Sequence, residues 1–200
     1  MARVIVVPGD DVAGKPSEFT YNDAGKTVSS VVGIYDEKEG VARVIPLNGR
    51  YDPHIDDYVV GIVTEPRHGG ARVDVNTPFA AYLPTPRSYN FGDVITARVK
   101  DVDEVKSVIL WEDRKVPSSG TVIEVSPVKV PRVIGKKNSM VDLLKQLTGC
   151  DMLVGKNGRI WMKGPSDAAV ARAEKAVLKI AAEAHTPGLT ERIKEYLSKE

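Results

Sequence analysis

Residues 130–164 constrain this chain more tightly than any other stretch, because the hydrophobic period changes inside them. An apolar lead-in, Val130-Pro131-Arg132-Val133-Ile134, ends at Gly135. Lys136 and Lys137 follow, then Asn138, which tolerates the left-handed backbone region, and Ser139 in the position of a helix N-cap. Met140, Leu143, Leu144 and Leu147 recur at i, i+3, i+4 and i+7, which predicts one buried stripe on a helix closed by Gly149. Past that glycine the period drops to two. Met152-Leu153-Val154-Gly155 and Arg159-Ile160-Trp161-Met162-Lys163 read as strands, and Asn157-Gly158 between them is a strong hairpin signal. A long helix follows, from a Ser166 cap to about residue 185.

The order strand, cationic glycine loop, helix, hairpin, long helix resembles a KH domain of type I topology. That module clamps the backbone of about four nucleotides with a GXXG loop. The corresponding loop here is Gly135-Lys136-Lys137-Asn138, with Asn in place of the last glycine. It stands at the positive end of a helix, where free N–H groups and the dipole favour a phosphate. Arg132, Lys136 and Lys137 are therefore candidate RNA contacts. Net charge supports the assignment. The chain carries only +1, but residues 118–185 hold 11 basic and 6 acidic residues, +5.

Upstream, residues 51–117 show no helical period. Strands are expected over 58–64, 71–76, 80–83, 93–101 and 106–111, joined by turns such as His68-Gly69-Gly70 and Asn90-Phe91-Gly92-Asp93. Short strands with glycine turns suggest a small closed barrel. The phrases Asp-Asp-Tyr-Val-Val-Gly-Ile-Val-Thr from residue 56 and Phe-Gly-Asp-Val-Ile-Thr-Ala-Arg-Val from residue 91 resemble the S-one-type OB barrel. OB barrels hold single strands by stacking bases on exposed aromatics beside a cationic groove. The candidates are Phe79, Tyr82, Tyr89 and Phe91, with Arg67, His68, Arg72, Arg87 and Lys100. Phe79 and Phe91 can also be read as barrel core, Phe91 the more so. Arg67, His68 and Arg87 fall in expected loops, which favours contact. This segment is acidic, with 8 basic and 11 acidic residues. The connection over 85–90 is short for the fold.

The first fifty residues read as a small β domain. Strands are expected over 3–7, 27–35 and 41–47, with a loop at 11–25 poor in apolar residues. A sheet this small buries little surface alone, so it is expected to rest on another domain or a partner. After Thr121–Lys129, expected as a strand, and the KH-like segment, Pro187-Gly188 breaks the chain. Leu189, Ile193, Tyr196 and Leu197 then mark a short amphipathic tail helix. The fold class is thus multidomain, mainly β with α+β. Its parts are a β domain (1–50), a five-stranded barrel (51–117), a KH domain (118–185) and a tail helix (186–200).

Several chemistries find little support. His54, His68, His185 and the single Cys150 are scattered, without zinc spacing. No Walker or dinucleotide glycine loop occurs. Asp56-Asp57, Asp101 with Asp103, and Glu112-Asp113 could be imagined as metal carboxylates of a nuclease, but each sits at a turn or strand end where acids are ordinarily solvated. Gly155-Lys156-Asn157-Gly158 looks like a phosphate cradle, yet its place between strands makes it a hairpin turn. Neither a metal nor a cofactor is expected. One cysteine fits a reducing cytoplasm, with Cys150 buried beside a strand. No apolar run spans the ~20 residues of a membrane helix, and the N-terminus ends too abruptly for a signal peptide.

Four marks in combination resemble the archaeal RNA exosome cap subunits of the ribosomal-RNA-processing-protein-four family. They are Val7-Pro8-Gly9-Asp10; Val44-Ile45-Pro46-Leu47-Asn48-Gly49-Arg50-Tyr51; Val130 to Lys137; and Gly155-Lys156-Asn157-Gly158-Arg159-Ile160-Trp161. The last holds the Gly-x-Asn-Gly signature of exosome KH subunits. The resemblance implies a structural turn at Gly155, Asn157 and Gly158, where barrel and KH domain pack. It also implies a non-catalytic subunit, in a homotrimeric or mixed cap on a hexameric ring of RNase-PH-like subunits. The β domain would dock on the ring, and the barrels would funnel single-stranded RNA to 3′-to-5′ phosphorolysis. The alternatives are a stand-alone RNA-binding protein of translation or transcription elongation, and a nuclease. The second is disfavoured because no catalytic-sized segment is left over.

Overall fold

The computed structural model describes residues 4–79, 81–117, 119–184, 186 and 188–199. The chain divides into two compact units, Met1–Gly49 and Arg50–Glu200. In the first, β1 (Val4–Val6) pairs with β4 (Gly33–Lys38), and β4 with β5 (Val41–Pro46), in one antiparallel sheet. A hairpin of β2 (Thr20–Asp23) and β3 (Lys26–Ser29) stands beside it. Val6, Val12, Ala42 and Val44 form the small core, with Phe19, Val31 and Tyr35 against it. Residues 27–35 are therefore two strands and not one. The Ser29 hydroxyl donates to the Val31 carbonyl at 2.7 Å and accepts from its N–H, which turns the chain out of the ladder. The supposed loop at 11–25 contains β2, whose turn uses Ala24 and Gly25 at φ 47° and 85°. Arg3 lies outside the described residues.

The second unit begins with the barrel: β6 (Tyr58–Arg67), β7 (Gly70–Asp74), β8 (Ala81–Pro84), β9 (Val94–Val102) and β10 (Val108–Lys115). It closes in the order β10-β8-β7-β6-β9, with β8 and β10 parallel, which is the OB arrangement. All five strands expected from the sequence form. Ala80, the expected start of β8, lies outside the described residues. Val59, Val63, Ala71, Val73, Leu83, Ile95, Val99 and Leu110 fill the interior.

The remainder is β11 (Thr121–Glu124), α1 (Val130–Ile134), α2 (Ser139–Thr148), β12 (Asp151–Val154), β13 (Arg159–Lys163), α3 (Asp167–Ala182) and α4 (Leu189–Lys199). The antiparallel sheet runs β11-β13-β12, so β11 to α3 have the type I KH topology. The strand expected to reach Lys129 stops at Glu124. Pro127 has no N–H for a ladder and opens one 3-10 turn, and Pro131 sits in the first turn of α1. Ser139 is not the cap of α2. That place falls to Asn138, at φ 65°, and Ser139 is already helical. The buried stripe of α2 is Met140, Leu144 and Thr148, while Leu147 is exposed. On α3, Ala173, Ala176, Val177, Ile180 and Ala181 are buried, and Ser166 caps it by accepting from the Ala169 N–H at 3.2 Å. The expected end near His185 and the break at Pro187 lie outside the described residues, as does Ser118 in the expected linker. The tail helix is no appendage: Leu189, Ile193 and Leu197 join the KH core. Cys150 is buried in it too.

Barrel and KH domain are joined by the turn between β12 and β13. Asn157 is fully buried. Its Nδ2 donates to the Val60 carbonyl at 2.8 Å and to the Val75 carbonyl at 3.0 Å, and its Oδ1 accepts from the Val60 N–H at 3.2 Å. The Lys156 N–H donates to the Tyr58 carbonyl at 2.8 Å, and Lys156 Nζ meets Asp57 at 2.6 Å. Asp57 is buried and also accepts from the Tyr51 hydroxyl, whose pKa burial and that carboxylate push far above the usual range. The glycines permit this closeness. A Cβ at Gly155 would stand 2.6 Å from the Val60 nitrogen, and one at Gly158 (φ 84°) 2.2 Å from the Val125 carbonyl oxygen. Next along the chain, buried Arg159 donates from Nε to Glu124 at 2.8 Å and from Nη2 to Asp74 at 2.7 Å. Partial burial works to raise the Asp74 carboxyl, but Arg159 and the Asn76 amide outweigh it and hold the group low. That part of the joint is complete above the ordinary carboxyl pKa and is lost as pH falls through the lower folded value. Trp161 then packs with Val60 and Val116 as the apolar part of the joint.

Asn157→Ala would leave the Val60 and Val75 carbonyls buried without this donor. Each such group costs about 1–3 kcal/mol. The urea midpoint followed by circular dichroism is expected to fall, corresponding to a stability loss of about 2–6 kcal/mol for the two groups. An unchanged midpoint would mean the contact carries no weight.

Candidate nucleic-acid interface

The outer face of β7 and β8 gathers the first set of candidates. Alternation buries Ala71, Val73, Ala81 and Leu83 and turns Arg72 and Tyr82 outward, directly opposite one another in register. The Tyr82 ring lies over Gly70, where a Cβ would be 2.6 Å from its hydroxyl oxygen. Ile109 of β10 pairs with Tyr82 from the other side and is also exposed. Arg67 ends β6, and His68 occupies the exposed turn into β7. Arg67 was expected in a loop, but β6 extends three residues past its expected end at 64. An open depression of about 440 Å³ lies between Glu65, Arg72 and Phe79.

One carboxylate organises this face. Glu65 Oε2 takes Arg67 Nη2 at 2.9 Å and stands 3.7 Å from Arg72 Nη1. The hydrogen bond from Arg67, working against desolvation, holds the Glu65 carboxyl below its ordinary range, and Glu65 in turn raises the Arg67 guanidinium.

Arg87 and Tyr89 belong to a second cluster. Both donate to Asp113, Arg87 at 3.4 Å to the carboxylate and more closely to the main-chain oxygen. The Tyr89 ring is 6% exposed, and burial with the Asp113 carboxylate pushes its pKa up to about 12. Tyr89 therefore offers no free ring face to a base, so the structure does not support it as a stacking residue. Its neighbour Phe91 reverses the opposite expectation. At 79% exposed it is no part of the core, and Phe79 is exposed as well. The reason is register: Gly92 donates to the Val63 carbonyl and turns the chain just before β9, leaving Phe91 at the tip.

The KH loop forms the third set. Gly135, Lys137 and Asn138 all have positive φ, 74°, 52° and 65°. A Cβ at Gly135 would be 2.7 Å from the Met140 nitrogen, which fixes glycine there. Arg132, Lys136 and Lys137 are exposed and have no acidic partner among the described residues. Gly155, Asn157 and Gly158 face the barrel as structural turn residues. Among the described residues, no hydrogen bond or ion pair links the three sets.

Five of the six acids considered for a metal are occupied otherwise. Asp57 pairs with Lys156, Glu112 with Arg98 at 3.3 Å and Asp113 with Arg87, while Asp101 and Asp103 accept backbone amides. No group of three metal-ligating side chains occurs among the described residues. No described helix is long and apolar enough to cross a membrane. Sequence reasoning passed over Glu65, Arg159, Ile109 and Trp111. In Val108-Ile109-Leu110-Trp111 both alternating sets are apolar, so the pattern cannot say which faces out.

A closed OB-type barrel locked to a type I KH module through a Gly-x-Asn-Gly turn defines the S-one-plus-KH class. The KH domain family matches residues 120–168. An exosome complex component Rrp4 from Pyrobaculum aerophilum is 43% identical over 96% of this chain and 91% of its own length. That of Methanothermus fervidus is 39% identical over 98% and 95%. A solved crystal structure, assigned provisionally by its description to the exosome complex RNA-binding proteins, shares 32% identity. It covers 76% of this chain and 97% of its own, with a TM-score of 0.67. The chain belongs to the Rrp4 family of exosome complex components.

The contrast between the two aromatics is directly testable. Tyr89→Ala is expected to cost about 3–5 kcal/mol of barrel stability, as buried aromatics do. Phe91→Ser should stay within about 0.5 kcal/mol. Equal losses in chemical denaturation would contradict the burial described.

Proposed function

We propose that this chain is a non-catalytic RNA-binding cap subunit of an archaeal exosome. In this reading it guides single-stranded RNA in the cytoplasm into a hexameric ring of RNase-PH-like subunits, where the chemistry of 3′-to-5′ phosphorolysis resides. The observation that carries the reading is near full-length kinship with exosome components named Rrp4, on a chain whose barrel turns Arg72 and Tyr82 outward together. A base can stack on Tyr82 while its phosphates meet Arg67, Arg72 and His68; such stacking is worth ~1–3 kcal/mol per base. The loop cations Arg132, Lys136 and Lys137 would add a second, weaker phosphate contact. Arg87 would contribute only by leaving Asp113.

The parts take separate roles. Residues 1–50 would dock on the ring. Their sheet and its flanks leave Val4, Ile5, Val7, Val32 and Ile45 exposed, with Ile5 and Ile45 on either side of the buried Ile34 in one cross-strand row. Residues 51–117 would line the entry, and 118–185 with the tail at 186–200 would widen the landing surface. Three copies, alone or mixed with another cap subunit, would let weak contacts act together through effective concentration.

Size-exclusion chromatography with light scattering on the chain, alone and with an RNase-PH-like hexamer, tests the assembly. About three copies per ring are expected. No association, with RNA bound by the free chain, would favour a stand-alone RNA-binding protein. In the same preparation Tyr82→Ala should weaken single-stranded RNA binding by about 5- to 150-fold if one stacked base is lost. Unchanged affinity would remove Tyr82 from the interface.

A further inference from the structure

Glu65 is out of place on a surface meant for phosphate. It occupies the outer face of β6 directly opposite Arg72, and a register shift between Val63 and Glu65 sets it there. Its Oε2 alone is shared by Arg67 at 2.9 Å and Arg72 at 3.7 Å. All three side chains are about half exposed, at 50%, 48% and 48%. The trio is thus open to solvent and to exchange. Two guanidinium groups converging on one oxygen is also the arrangement a phosphate oxygen would need.

We propose that Glu65 is a resident competitor for RNA phosphate, holding Arg67 and Arg72 as a pair until a phosphate displaces it. The idea rests on the reading of this barrel face as the RNA contact. The carboxylate does two things. It keeps both guanidiniums aimed at one point, and it cancels one of their two charges. An exposed ion pair contributes only ~0–1 kcal/mol, so a phosphate can displace it readily. Each phosphate therefore finds a preformed but weak seat. A strand that must move on needs binding favourable enough to enter and weak enough to leave, as ions in channels do. A face with both arginines free would hold its phosphate longer.

The test is fluorescence anisotropy of a labelled, unstructured single-stranded RNA on the full chain, from 50 to 300 mM salt. Glu65→Gln keeps shape and some hydrogen bonding but removes the charge. It should tighten binding by about three- to tenfold at 100 mM salt, and steepen the slope of log K against log salt by about 0.7, one more phosphate neutralised on a single strand. Asp23→Asn, which removes an equal exposed charge outside the barrel, should do neither. Adding Glu65→Gln to Arg67→Ala/Arg72→Ala should have no effect, since the carboxylate then has nothing to occupy. If Arg67→Ala/Arg72→Ala weakens binding but Glu65→Gln leaves affinity and slope unchanged, or weakens binding, the competitor role is wrong and the RNA face stands. If Arg67→Ala/Arg72→Ala changes nothing, or the unaltered chain binds no RNA at 50 mM salt, both readings fall.

Discussion

The carboxamide of Asn157 is the contact on which the second unit depends. It presents two donors and one acceptor, and the barrel offers the complement: the Val60 and Val75 carbonyls and the Val60 N–H. No other side chain of that length has this set. Aspartate would turn acceptors toward two carbonyls, and alanine would leave them bare in a dry site. The contact also explains the residues on either side. Gly155 and Gly158 let two backbones approach, and Arg159 neutralises acids from both modules, Asp74 of the barrel and Glu124 of the KH sheet. The hairpin tip that ends in solvent in many ββ turns is here the inside of a joint, so barrel and KH module share one body.

That body meets charge in two different ways. The barrel is acidic overall, and four of its outward arginines are held by carboxylates: Arg67 and Arg72 by Glu65, Arg87 by Asp113, Arg98 by Glu112. The KH segment is basic, and its loop cations Arg132, Lys136 and Lys137 have no acidic partner among the described residues. Paired arginines favour fixed geometry and modest affinity, and unpaired lysines favour long-range attraction without register. An RNA-guiding surface can use both, one to attract a strand and one to orient it.

Much of this was legible in the sequence. The barrel strands followed from short apolar runs set between glycine turns, although in Val108-Ile109-Leu110-Trp111 the pattern left the core face open. Asn157-Gly158 between two apolar runs identified the hairpin, and the KH order followed from the change of period at Gly149. Other features were hidden for physical reasons. The short helix α1 lies inside an apolar run, where only Pro127 and Pro131 mark the break. Ser29 ended a strand through a side-chain bond that leaves no pattern. Leu147 and Phe91 look like core residues by type, yet helix rotation exposes one and a turn exposes the other. Tyr89 looks like a stacking residue, but its hydroxyl reaches Asp113 from 24 residues away, a pairing no local window contains. Glu65 was invisible for the same reason: its role lies in a cross-strand pair.

Native-state hydrogen exchange tests the shared body most directly. The Val60 and Lys156 amides, which bond across the joint to Asn157 and Tyr58, should open with the same free energy as Val99 in the barrel and Ile160 in the KH sheet. Exchange of Ile160, Val60 and Lys156 at a clearly lower free energy than Val99 would show the KH module opening alone, and would contradict the joint as the organising contact.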